Sequence, residues 1–381
     1  MNHKIKFYPV GNGDNVLLKL NSGFTAIFDC QIRKPEKNDD GIEVYDVKKD
    51  LMEELQTVNG KPFVDLFVNS HPHMDHCLGY KANFYHGDPD DYDDTNKENE
   101  EIIIGELWVT QKVFQLNLCD DANAIRNEAN RRLRLFRDGD TKADKFGNRI
   151  HIIGYNDEDK AEEGIHYIPG SSISIINGKY LSELKVFIHA PLKSDIQTSW
   201  ADKDENIASI VMQLNIISGQ RVSKVFICGD ADHYVFEHIM DISEAKSNED
   251  ALKWDILLAP HHCSWSFFND TPQKDYPDVV DSASKFLGYA NEGAHIVSSS
   301  DKIEDNDNNP PHFQARKQYI KTVTAERFKN TAINGGEKKP QPVVYEFDSD
   351  GITFKRVLLF TGATTILGSS TPRAGVWMKS K

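Results

Sequence analysis

No run in this 381-residue sequence approaches the roughly 20 consecutive apolar residues that a membrane-spanning helix needs. Its opening, MNHKIKFYPV, lacks the apolar stretch of a secretory signal. Cysteine is scarce and odd in number: five, at positions 30, 77, 119, 228 and 263, with no spacing that makes a disulfide framework. These absences argue against a disulfide-stapled secreted domain and give the expectation of a cytoplasmic, reduced protein with no membrane partner. Basic charge is also short: 44 lysines and arginines face 59 aspartates and glutamates, a formal net charge of −15. That field opposes sequence-independent binding to duplex DNA, which needs a broad cationic surface. Short-period repeats and a clear linker are missing too. The chain therefore reads as one domain over 1–360, with an insertion at about 84–180, and a tail over 361–381.

What is present suits a globule: 39% of residues are hydrophobic, enough for a sizeable core. KIKFYPV and NVLLKL read as strands joined by the turn residues Gly11–Asp14, and FTAIFD as a third strand. EVYDVKKDLMEELQTV places Val47, Leu51, Leu55 and Val58 at helical spacing. Residues 86–101, HGDPDDYDDTNKENEE, are dominated by acids and read as an exposed loop without the EF-hand pattern. A helix follows over 121–140 with Arg126, Arg131, Arg132, Arg134 and Arg137. It is the one basic concentration in an acidic chain, so Arg131, Arg132 and Arg134 are candidates to contact an anionic substrate; a solvated face is the plainer alternative. The second half alternates apolar strands with polar ends: ELKVFIHAP, ASIVMQLNI, SKVFICGDADH, DILLAPHHCSW and AHIVSSSD. A helix over Phe313–Lys329 and a hairpin at Asp350–Gly351 complete an α/β sandwich pattern.

The chemistry concentrates in SHPHMDHCLGY, residues 70–80, directly after the apolar DLFVN. Imidazole and carboxylate are the usual ligands of zinc, manganese or iron. In extended chain His71 and His73 point the same way, and a turn can swing Asp75 and His76 toward a second ion. Further ligands are offered where other strands end: His189, Asp230, and His261 or His262. Asp230, after Gly229, suits a carboxylate bridging two ions. A lone strand-end histidine is normally a satisfied structural residue, but four such ends in one chain favour a metal site. Two divalent cations, Zn²⁺ or Mn²⁺, would suit phosphoester hydrolysis by a metal-bound hydroxide oriented by Asp75 or Asp230.

HPHMDHCLG resembles the H-x-H-x-D-H-x-x-G signature of the metallo-β-lactamase superfamily, with Gly79 on its last glycine. More closely, the chain resembles the hydrolase domain of ComEC-type competence proteins and the phosphorylcholine esterases. VGNGD (Val10–Asp14), ENIASIV (Glu205–Val211), ICGDAD, DILLAPHHCS and NPPH (Asn309–His312) are similar to their motifs, in order along the chain. The resemblance implies an αββα metallo-β-lactamase sandwich, here with an acidic and a helical insertion, and metals at the open edge between two sheets. It implies that Asp29 orients the site and that His312 contacts substrate. It leaves the third-motif ligand between His189 and Asn206. His261 is taken as the distal ligand, with His262 as proton donor or phosphate contact. Cys30 and Cys263 depart from family glycines, and Cys77 lies inside the main motif. They are read as small buried hydrophobes rather than soft ligands or redox-sensitive positions.

The expected function is a two-metal phosphodiesterase or nuclease acting on a nucleic acid or nucleotide. The alternatives are a metallohydrolase of another ester, thioester, lactone or amide, and a non-enzymatic metal-binding component of a multi-protein complex.

Overall fold

The computed structural model describes residues 2–38, 41–115, 118–154, 162–202, 204–275, 277–306 and 310–356. The expected tail 361–381, and Asn309 of the NPPH motif, lie outside them.

Two sheets face each other. The first runs in the order 343–347, 3–7, 16–19, 25–28, 61–69, 103–110, 149–153, with short edge strands at both ends. The second runs 328–330, 290–298, 254–258, 221–227, 211–218, 184–190, with Ser172–Ile173 at its edge. Between them Ile5, Leu18, Phe28, Val68 and Trp108 of the first sheet meet Ile188, Leu214, Val225, Ile256 and Val297 of the second. The outer face of the first sheet packs Val64, Phe67 and Leu107 against Val47 and Leu51 of the helix Val47–Glu54 and Ile125, Ala129 and Leu133 of the helix Asp120–Arg137. The outer face of the second packs Phe226 and Leu257 against Val235, Phe236 and Ile239 of the helix His233–Ala245, Phe286, and Tyr319 of the helix Phe313–Val323. The layer order is αββα, as expected.

The strand Lys61–Asn69 is parallel to Thr25–Phe28 and Ile103–Thr110, pairs antiparallel with the short Gln56–Val58, and is buried on both faces, which is why it reads as an almost unbroken apolar run. Its carboxyl end carries the histidine segment. Strands Arg221–Ile227 and Trp254–Leu258 are likewise parallel and release their loops at the same kind of end. Open α/β sheets bind ligands outside such carboxyl ends.

Several expectations change. Gly11–Asp14 is not a tight hairpin turn: the strands stop at Phe7 and resume at Val16, and the loop crosses the histidine turn, with Asp14 N–H donating to Asp75 O at 3.3 Å. Gly13 is needed there, because a Cβ would lie 2.6 Å from Asp75 O. The helix expected to reach Lys329 ends at Val323, and Phe328–Asn330 becomes an edge strand. The span 84–180, expected as an insertion, supplies three parallel strands of the first sheet, Ile103–Thr110, Arg149–Ile153 and His166–Tyr167, and the helix that packs on them.

The acidic segment is also more than an exposed loop. Asp93 and Asn96 form a reciprocal cap on the helix Asp94–Glu98. Tyr92 is buried with Phe63, Tyr85 and Ile103, and its hydroxyl donates to Glu101 O at 2.9 Å. Tyr92→Ala should therefore cost about 3 kcal/mol, as for other buried aromatics. Urea unfolding measures this, and a change below about 1 kcal/mol would restore the loop reading.

Candidate metal centre

Most polar groups of the site follow strand ends, while Glu205 precedes the strand Val211–Ser218. Asp29 follows Thr25–Phe28, Ser70–His76 follow Lys61–Asn69, Asp230 follows Arg221–Ile227, and His261–Cys263 follow Trp254–Leu258. A 3₁₀ turn, Met74–His76, swings Asp75 and His76 back under His71. Gly79 closes that loop at φ +84, where a Cβ would meet Ile32 O at 2.6 Å. At the distal corner His261, His262 and Cys263 are consecutively left-handed, at φ 48, 54 and 68. Cys263 thus occupies a conformation in which glycine is unstrained, consistent with a glycine in the family motif.

The side chains form two adjoining groups that share Asp230, with the ligand atoms in each group all within 4.8 Å of one another. The first comprises His71, His73 and Asp230; the second Asp75, His76, His262 and Asp230. His71 Nε2 lies 3.1 Å from His73 Nδ1, and His76 Nε2 lies 3.2 Å from His262 Nε2. Asp230 turns Oδ2 toward His71 Nε2 at 3.6 Å and Oδ1 toward His76 Nε2 at 3.0 Å and His262 Nε2 at 3.4 Å.

The far side of each ring decides what these nitrogens do. His76 Nδ1 is 2.8 Å from Asp29 Oδ2, so it donates there and leaves Nε2 as a lone pair. His262 Nδ1 donates to Ser299 O at 3.0 Å. His73 Nε2 donates to Glu205 Oε2 at 3.2 Å. Ser70 Oγ commits its proton to Asp29 at 2.6 Å, so it accepts from His71 Nδ1 at 3.1 Å. Four inward lone pairs then face each other in two pairs beside a buried carboxylate. With His76 Nε2 unprotonated, buried Asp230 Oδ1 accepts no hydrogen bond among the described residues; a protonated Nε2, 3.0 Å away, would donate to it. Lone pairs converging this way repel unless a cation lies among them, and outer oxygen partners of this kind characterise metal-ligating histidines. The donor set of imidazoles and carboxylates fits Zn²⁺ or Mn²⁺.

Glu205 is itself braced by Gln115 Nε2 at 2.7 Å. Glu205→Ala should lower zinc affinity about 10- to 100-fold, with Glu205→Gln intermediate, by competition with a chromophoric chelator. An unchanged affinity would show that Glu205 does not orient His73.

Without a cation the site stores a proton. Burial opposes charge on His76, but Asp230 and Asp29 outweigh it and raise its pKa well above the usual value. Burial likewise opposes charge on His262, yet Asp230 and Asp75 bring it to about 8. Burial, reinforced by His76, pushes His71 well down. Asp230 stays ionised despite burial because four histidines surround it. His76, Asp75, His262 and Asp230 would hold a cation only with His76 Nε2 unprotonated, so binding there would be coupled to release of that proton.

The structure brings together His71, His73, Asp75, His76 and Asp230, with Asp29 behind them. Of the distal histidines, His262 joins the second group, while His261 is partly exposed with Nε2 3.5 Å from Asp230 Oδ2. His189 is a correction. Its ring is on the outer face of the second sheet, stacked on Phe226, and away from both groups. At the third motif Asn206 begins a short turn, and its neighbour Glu205 is the residue that touches His73. Of the arginine candidates, Arg131 and Arg132 both bind Glu128, and Arg132 is buried. Arg134 is exposed. His312 braces the distal turn, its Nδ1 accepting from Trp265 N–H at 2.9 Å. Asp14 is a residue that sequence reasoning did not assign. It is buried 3.8 Å from His262 Nδ1, with burial raising its pKa to about 7. The VGNGD motif was its signal.

His189→Phe tests its correction. Burial holds the His189 pKa down to about 3, so the unfolded chain takes up its proton first as pH falls below about 6.5. That histidine therefore costs stability progressively between pH 6.5 and 3. The variant should lose melting temperature less steeply on acidification and should bind zinc as the parent does. Lost zinc binding would make His189 a ligand after all.

No family model matches the sequence, and no curated protein matches it. Among solved structures, the chain is similar to a possible metal-dependent hydrolase from Veillonella parvula DSM 2008. The identity is 11%, coverage 87% of this chain and 96% of that one, and the TM-score 0.40. It is also similar to the class B3 di-zinc metallo-β-lactamase LRA-12 from an Alaskan soil metagenome, at 11% identity, 84% and 94% coverage, and a TM-score of 0.30. Likeness at this level leaves the substrate to the site itself. No described helix is long and apolar enough to cross a membrane. The layer order is αββα, and the imidazole and carboxylate donors gathered at the strand ends form a set that could hold divalent cations.

Proposed function

We propose that this chain is a two-cation phosphodiesterase acting on a small substrate. The observation that carries the reading is the pair of facing nitrogen sets that share Asp230. Two divalent cations held there would acidify a coordinated water and offset the charge that develops on a phosphoryl oxygen.

The chain's own residues supply the rest. Asp230 fixes the spacing of the two groups. Asp75, about one-third exposed, reaches from solvent to His262 Nε2 at 3.3 Å and can orient an attacking water. His261 is partly exposed beside Asp230 and can hydrogen-bond a leaving oxygen. Next to it, Ser264, Ser266, Asn269, Asp270, Lys274 and His312 line a cavity of about 320 Å³. Ser266 Oγ is 3.2 Å from His261 Nδ1, so the cavity lies one side chain from the metal groups. Lys274 offers it a cation for a phosphate oxygen. A cavity this size, lined by Trp265 and Pro272 as well as polar groups, a net charge of −15 and the engagement of Arg131 and Arg132 by Glu128 favour a nucleotide-sized diester over a long duplex.

The test is turnover of bis-p-nitrophenyl phosphate, lost on chelation and restored by Mn²⁺ or Zn²⁺. Metal-dependent turnover of an ester, thioester, lactone or amide instead would move the chain to another metallohydrolase. Metal binding with turnover of none would favour a non-enzymatic component that works through a protein partner.

A further inference from the structure

Five cysteines remain free in the fold, and two of them meet. Cys77 Sγ lies 3.6 Å from Cys119 Sγ, 42 residues further along the chain. Cys77 ends the 3₁₀ turn that carries Asp75 and His76, and its Sγ lies 3.1 Å from His73 O, within hydrogen-bonding reach. Cys119 is the N-cap of the 18-residue helix Asp120–Arg137. Cys119 is partly exposed, whereas Cys30, Cys77, Cys228 and Cys263 are buried. One sulfur is therefore open to a small reagent, and the other waits behind it against the metal-binding turn.

We propose that Cys77 and Cys119 are an oxidation-sensitive pair that a peroxide closes to a disulfide, weakening cation binding at the adjoining site. The Cys119 thiolate attacks hydrogen peroxide: an S–O bond forms, the O–O bond breaks, and the departing hydroxide takes a proton to become water. The Cys77 sulfur then attacks the sulfenic sulfur of Cys119. The S–S bond forms, the S–O bond breaks, and a second water leaves with the Cys77 proton. The two thiols are oxidised by two electrons in total, and the peroxide is reduced to two waters.

The surroundings suit the first step. When the single Cys77 proton turns from His73 O toward Cys119, its hydrogen bond lowers the Cys119 pKa, burial opposes it, and N–H groups at the start of the helix help hold it at about 6. Closure must bring the sulfurs to about 2.05 Å. Cys77 is bonded directly to His76, so that movement passes into the turn holding His73, Asp75 and His76, and the contact to His73 O is lost. Disruption of outer contacts of this kind costs metal affinity about 10- to 100-fold. The coupling rests on the two-cation reading; the disulfide does not.

The experiment treats the whole chain with hydrogen peroxide. Thiols are counted in denaturant, peptides are mapped without reduction, and zinc affinity is measured before oxidation, after it, and after dithiothreitol. The expected result is a loss of two thiols, a Cys77–Cys119 linked peptide, and zinc affinity at least about tenfold weaker that dithiothreitol restores. Cys119→Ser should remove both the peptide and the affinity change. A Cys119 sulfinic acid with Cys77 still free, or no linked peptide, overturns the pair. A linked peptide with unchanged zinc affinity overturns the coupling. Failure of the reduced chain to bind zinc counts against the two-cation reading, and with it the coupling, while the peptide map still judges the bond.

Discussion

Replacing Asp75 with alanine should abolish hydrolysis and leave the fold intact. Its carboxylate is one of four donors in the second metal group, and in the cation-free site it is held ionised, with burial outweighed by the hydrogen bond from protonated His262 and the charge of His76. Removing it leaves three donors and takes away the group placed to orient water. Loss of an outer-shell partner alone typically costs 10- to 100-fold, so loss of a direct donor should exceed about 100-fold in turnover. The backbone carbonyl that anchors the Gly13–Asp14 loop is untouched, and the side chain is partly exposed, so the melting temperature should change little. Steady-state turnover of a diester, with melting as the control, measures both. Near-normal turnover would detach hydrolysis from this motif.

Arg132→Ala should produce the largest loss of stability among the arginines of its helix. Arg132 is 1% exposed and satisfies three acceptors: Glu128 Oε1 at 2.7 Å, Arg149 O at 2.9 Å and Ile104 O at 2.9 Å. Alanine would leave a buried carboxylate short of a partner and two carbonyls unpaired. Breaking one side of a buried pair costs about 3–5 kcal/mol. Arg134→Ala, on the exposed face, should stay within about 0.5 kcal/mol. Urea unfolding separates the two. If Arg132→Ala instead leaves stability intact and selectively weakens an anionic polymer, the helix is a substrate guide.

Much of the site was legible because it is local. Alternation in extended chain put His71 and His73 on one side, and the next turn could only carry Asp75 and His76 elsewhere. The sandwich was legible because buried parallel strands leave long apolar runs, as at Phe63–Val68, which only Asp65 interrupts. Other features depended on contacts between distant segments. His189 ends a strand just as the site residues do. Its orientation is set by an irregularity between Ile188 and Ala190 and by Phe226 on the next but one strand. A one-residue change of register exchanges faces without altering the sequence pattern. His261 and His262 are adjacent, and three consecutive left-handed residues decide which ring turns inward. Tyr92 is one aromatic in an acidic stretch, and its partners Phe63 and Ile103 lie in other strands. The arginine helix did carry a local clue: Glu128 stands three and four residues before Arg131 and Arg132, the spacing of helical ion pairs. Which face the sheet would bury was not in that spacing.

Metal stoichiometry tests the central claim most directly. The purified chain is stripped with a chelator, reconstituted with Zn²⁺ or Mn²⁺, freed of excess ion and analysed for metal per chain. Two ions are expected in the parent, falling sharply in Asp230→Ala because that carboxylate serves both groups. A reconstituted parent chain that retains no transition metal would contradict the two-cation centre.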